Sequence, residues 1–196
     1  MNTASQVPRL APPGAGLPKI EHFFANLMIH WKARRTNRAE AEATFAGEHA
    51  AIVNLLRSGD PARFAAPVLV KRLPGLEDSS RYWSLLMTLD HLRIVNAEIT
   101  RVIAALCNGN VPPEVASTAA VKPSEDVDKS VIARFGQGCS DFERTVAAQA
   151  PLTSQVKYAH PWFGPMDAAA WHFMAGFHMR LHRKQVELIL AGLTKV

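Results

Sequence analysis

Apolar residues recur along this chain at spacings of three and four, the period of helices that each bury one stripe, and no stretch alternates like a half-buried strand. Ile20, Phe23, Phe24, Leu27, Met28 and Trp31 mark a first helix, with Pro18 just ahead of it. Polar residues follow, and the period resumes at Phe45, Ile52, Val53, Leu55 and Leu56 until Ser58-Gly59-Asp60-Pro61 stops it. This is one long helix or two joined near Thr36. Prolines 61, 67 and 74 make residues 61–78 a loop region, with room at 66–71 for a short extended or helical piece. The next helix starts between Ser79 and Ser84, either of which suits an N-cap, and ends at Asn108-Gly109. After a second linker, Ser124 with Glu125 and Asp126 reads as the start of a helix carrying Val127, Val131, Phe135, Phe142 and Val146, ended by Pro151. Pro165 and Asp167 open the last helix, which runs through Leu190.

Four principal helices and two long connections specify an all-α fold, a four-helix bundle with an N-terminal helical extension. Residues 20–196 read as one domain. Residues 1–19, with four prolines, read as a mobile or extended arm.

The last helix carries unusual chemistry on its core side. At about 100° per residue, Trp171, Met174, Ala175, His178, His182, Gln185 and Ile189 share one stripe, and Arg180, Arg183, Lys184 and Glu187 oppose it as the wet side. Imidazoles four residues apart, roughly 5–6 Å between Cβ atoms, can ligate one ion from a single helix. The helix ending at Asn108 repeats the condition: Ser84, Met87, Thr88, Ile94, Val95, Glu98, Val102 and Leu106 align with His91, whereas Arg93, Asn96 and Thr100 face away. In a bundle, His91 can reach the depth of His178 and His182. Three imidazoles with an open position form a usual catalytic divalent-metal site, although hydrogen-bonded core histidines give the same pattern, and the Glu of an HExxH motif is absent because Met179 follows His178. His49 shares a stripe with Phe45 and Ile52 and is a further pocket candidate. So is Glu98, two turns from His91: a carboxylate on that face needs an imidazole N–H or a cation, or else emerges solvated at the bundle end.

Composition narrows the setting. With 48% hydrophobic residues in 196, one substantial core is affordable, and no apolar run reaches the roughly 18 residues of a membrane span. A charged and then apolar leader is missing at the start, so the default location is cytoplasmic. Cys107 and Cys139 form neither a CxxC motif nor a disulfide framework and read as buried thiols. The net charge of +5 is densest at Lys32-Ala-Arg-Arg-Thr-Asn-Arg38, which has no interleaved aromatics and no nucleic-acid module around it; it reads as a solvated helix face or helix junction, not a nucleic-acid surface.

Three elements together resemble the DinB-like family of metalloenzymes: Trp83-Ser84 followed by His91, the segment His160-Pro-Trp-Phe-Gly-Pro165, and His178-x3-His182-x2-Gln185. The similarity spans about Ala39 to Val196. The resemblance implies a four-helix bundle in which His91, His178 and His182 hold a divalent metal, zinc or nickel, with Gln185 and His160 beside it. It also implies a homodimer and a small-molecule substrate, with a low-molecular-weight thiol as cosubstrate in some members. The basic segment before Ala39 is additional to the pattern, and the acidic pair often found soon after the first histidine is missing. The competing reading is a non-catalytic helical binding or scaffold module, stress-related, whose histidines are structural.

Overall fold

The computed structural model describes residues 8–149 and 151–194 and contains five α-helices: α1 (Lys19–Arg35), α2 (Arg38–Ser58), α3 (Leu85–Cys107), α4 (Val131–Ala148) and α5 (Ala168–Leu193). Helices α2 to α5 form the four-helix bundle: α5 packs against α2 and α3, and α3 against α4. α1 is the extension. Among the described residues, no helix is long and apolar enough to cross a membrane.

The first apolar stretch is two helices. Asn37 breaks it: its side chain accepts from the Glu40 backbone N–H, and the Glu40 carboxylate accepts in return from Asn37 N–H, a capping box that starts α2 afresh. Arg38 then donates to the carbonyls of Val146 and Gln149 at the C-terminal end of α4, where unpaired carbonyls favour a cation. At least this residue of the basic run serves a helix junction.

Ser84 is the cap of α3 and Asp167 that of α5. The start of α4 is displaced from the expected one. Ser124 does not cap it; its N–H is turned to the Asp90 carboxylate, and Asp128 bonds the Ser130 N–H in a turn, so the helix begins at Val131. Although no alternation marks them, two short antiparallel ladders tie the connections: β1 (Val68–Leu69) with β2 (Tyr82–Trp83), and β3 (Tyr158–His160) with β4 (Gly164–Met166). Their two or three residues are too few for a period to show.

Phe45, Ile52, Leu89, Ile103, Phe135, Phe142 and Ile189 are essentially fully buried between the helices. The expected orientation of α3 needs correcting. Asn96, expected to face away, is fully buried, its amide N–H₂ directed at Met179 Sδ and Cys139 Sγ. α3 packs on α4 and α5 at once, so it buries two flanks and not one stripe. The wet side of α5 also differs: Arg180 and Arg183 both clasp the buried Glu48 carboxylate of α2. Gly176 lets these helices approach, because an added Cβ would lie 3.0 Å from Thr44 Cγ2 and 3.3 Å from the Phe45 backbone nitrogen.

Candidate metal centre

His91 lies in the second turn of α3, and His178 and His182 stand one turn apart on α5, which crosses against it. One ring nitrogen from each comes within 4.8 Å of the others. His91 Nε2 and His178 Nε2 are 3.1 Å apart. Two nitrogens about 2.05 Å from a shared tetrahedral ion would be about 3.3 Å apart, so the spacing fits with little movement.

The hydrogen bonds around the triad fix which nitrogens carry lone pairs in two of the three rings. His91 Nδ1–H donates to the Val121 carbonyl at 2.7 Å, leaving Nε2 bare. Gln185 donates its amide N–H to the Ser80 carbonyl at 2.7 Å, which leaves its Oε1 to accept from His182 Nδ1–H at 2.8 Å. His182 Nε2 is therefore bare as well. His178 Nδ1 is buried without a partner. Facing nitrogens at 3.1 Å need a proton or a cation between them; a bound ion would take a lone pair from each ring, while leaving His178 Nδ1 without a partner.

Burial also keeps the triad uncharged. It pushes His91 down to about 4, with the Val121 carbonyl opposing the shift and Lys122 adding to it. Burial, then the neighbouring imidazoles, holds His178 well below the usual range, and burial and His91 do the same for His182. Neutral imidazoles are the form that binds metal.

The Trp83 indole lies almost parallel to the His182 ring at 6.1 Å and 5.1 Å from that of His91, which gives the Trp-Ser element a physical role: the indole walls two ligands while Ser84 caps their helix. Lys122 Nζ lies 5.3 Å from the indole centroid and donates to Glu77 Oε2 at 2.5 Å and to the hydroxyls of Ser79 and Ser80 at 2.9 Å. Burial tends to raise the Glu77 carboxyl, but Lys122, the Gly16 N–H and Ser79 hold it below its ordinary value. Lys122 falls in the linker between α3 and α4, and Glu77 in the loop before α3; no motif or period marks either.

Not all the other candidates join the centre. His160 lines the same cavity, stacked on Phe163 at 4.6 Å, and burial pushes it to about 4. Gln185 is fully buried beneath His182. Glu98 is half exposed and paired with Arg101 at 2.8 Å, at the cavity's outer edge, so the solvated alternative holds for it. His49 sits edge-on to Phe135 at 5.6 Å, on the α2–α4 side, apart from the triad. Cys139 is buried and free, its thiol pushed up to about 12 by burial, while Cys107 is only half-buried.

The triad opens into a cavity of about 1270 Å³ between α1, α3, α5 and the linker before α4. The N-terminal arm closes one side. Gly14 and Gly16 N–H both donate to Glu77 Oε1 at 3.0 Å and Ala11 N–H to Asp78 at 2.8 Å, so the described part of the arm, which turns between Pro12 and Ala15, is fastened to the loop that holds Lys122.

No family model matches the chain, and no curated protein matches it. Among solved structures it is similar to TT2238, a four-helix bundle protein, at 23% identity and a TM-score of 0.56, over 76% of this chain and 97% of that one. At that identity the likeness is one of fold: the chain is a four-helix bundle in which three of the histidines, His91, His178 and His182, could hold a metal ion.

Proposed function

We propose that this protein is a divalent-metal-dependent enzyme of the DinB-like class, with His91, His178 and His182 as ligands and an open position toward the cavity. The observation that carries the reading is the convergence of three neutral imidazoles, two of them with Nδ1 committed elsewhere. Imidazole sets of this kind suit zinc and nickel. Bound there, such an ion supplies a lowered pKa for a water or a low-molecular-weight thiol and polarises an electrophile, the chemistry of thiol transfer, isomerisation through a thiol adduct, or hydrolysis. The chain's own residues do the positioning. Val121 and Gln185 orient two ligands, and Trp83 walls them.

Elemental analysis of protein purified without a histidine tag tests the proposal. One zinc or nickel per chain is expected, falling to trace in His178→Ala with helicity retained, because the apolar bundle core does not depend on the ion. Full occupancy in His178→Ala would remove the assignment.

A further inference from the structure

The cavity over the triad has an uncommon construction. α1 turns its hydrogen-bonding side chains toward the protein: Glu21 pairs with Arg72 and accepts from Gly75 N–H, His22 and Asn26 donate to the Trp162 carbonyl, and His30 donates to that of Phe163. The helix is thus held by polar bonds to loops. Its apolar side is left over: Phe24 and Leu27 are each 63% exposed and Trp31 53%, and all three line the cavity opposite Val95, Phe177 and Leu181.

Apolar surface left this way is unfavourable until something covers it. The charged side chains around the cavity are largely matched among themselves. Glu77 meets Lys122, Glu21 meets Arg72, and Arg101 lies between Glu98 and Glu114. The walls therefore ask for hydrocarbon. With neutral imidazoles around a divalent ion, the triad end asks for an anion. At about 1270 Å³ the cavity also exceeds the roughly 300–1,000 Å³ of ordinary small-molecule sites, so a polar low-molecular-weight thiol would leave much of it unfilled.

We propose that the ligand of this site is an amphiphile: a metal-ligating carboxylate or thiolate head directed at the triad, and a long apolar body lying against α1. This rests on the metal reading above and deepens it by naming the substrate class. Leu27 and Phe24 then act as specificity determinants that touch the body and not the head.

Acetate, octanoate and dodecanoate, each below its micellar concentration, would be titrated calorimetrically into zinc-loaded protein whose zinc content is measured on the same sample. Affinity should rise along the series, by about fourfold for each methylene that enters the cavity. Leu27→Glu, at an exposed position, should flatten that rise at full zinc content. Equal affinity for acetate and dodecanoate at full zinc occupancy would overturn the substrate class and leave the metal reading standing. Dodecanoate binding that ignores both Leu27→Glu and Phe24→Glu would overturn it too, by placing the body elsewhere. Protein that takes up no zinc would overturn both readings.

Discussion

Gln185 Oε1 accepts the Nδ1 proton of His182 at 2.8 Å, and the same amide donates to the Ser80 carbonyl, so a loop carbonyl orients a candidate ligand through one intervening side chain. Gln185→Leu keeps most of the volume but removes both bonds, freeing the His182 ring to take the other tautomer. Partners of this type are worth about 10–100-fold in metal affinity. Zinc competition with a chromophoric chelator should show a loss in that range, with the helical circular-dichroism signal intact. Unchanged affinity would mean that packing against Trp83 alone orients the ring.

Gln185 was legible because its spacing from His182 places it on the core stripe of a helix with clear ends. The caps at Ser84 and Asp167 were legible for a similar reason: each precedes a periodic run. α3 was harder. A helix buried on two flanks has no single stripe, so alignment on His91 put Asn96 outside when it is fully buried, and Glu98 inside when its side chain is half exposed. Asn37 and Glu40 do stand at capping-box spacing, but within a polar run where no apolar period announces a new start. The N-terminus of α4 was hidden because Ser124 Oγ accepts from the Asp126 N–H in a local turn and Asp128 from the Ser130 N–H in a second one, which together carry the chain on to Val131. Lys122 had no local signal because only tertiary contacts bring it onto Trp83 and Glu77.

The buried imidazoles give the metal-free protein a pH-dependent stability. His91 and His160 are each pushed to about 4 by burial, whereas an unfolded chain protonates them near 6.5. Between those values the unfolded state binds more protons, so stability is full above about pH 6.5 and falls as pH drops toward 4. For His91 alone the loss is on the order of 3 kcal/mol. Urea denaturation of metal-free protein at half-unit steps from pH 7 to 4.5 should show a steadily falling midpoint. A flat profile would mean that these rings are protonated in the folded state.

Glu98 should be indifferent to the metal. Its carboxylate is paired with Arg101 one turn away, both half exposed, an arrangement worth at most about 1 kcal/mol. Glu98→Gln is expected to leave zinc affinity within about twofold and stability within the same 1 kcal/mol. A tenfold weaker site would show that the carboxylate reaches the triad's surroundings in solution.

Two apolar residues of α1 belong neither to the core nor to the cavity wall. Ile20 is 76% exposed and Phe23 66%, and Phe23 lies edge-on to Phe24 at 5.5 Å, so the apolar surface continues from the cavity mouth around the helix. A closed two-fold contact uses the same patch on both copies, which suits a self-complementary apolar strip better than the +5 charge of the whole chain suits nonspecific association. We therefore expect a homodimer through α1 and, by light scattering at micromolar concentration, twice the chain mass. Phe23→Glu should return the protein to a monomer without changing its helicity or its metal content, since Phe23 touches neither the bundle core nor the triad. A wild-type protein that runs as a monomer across that concentration range would leave Ile20 and Phe23 without a partner of this kind.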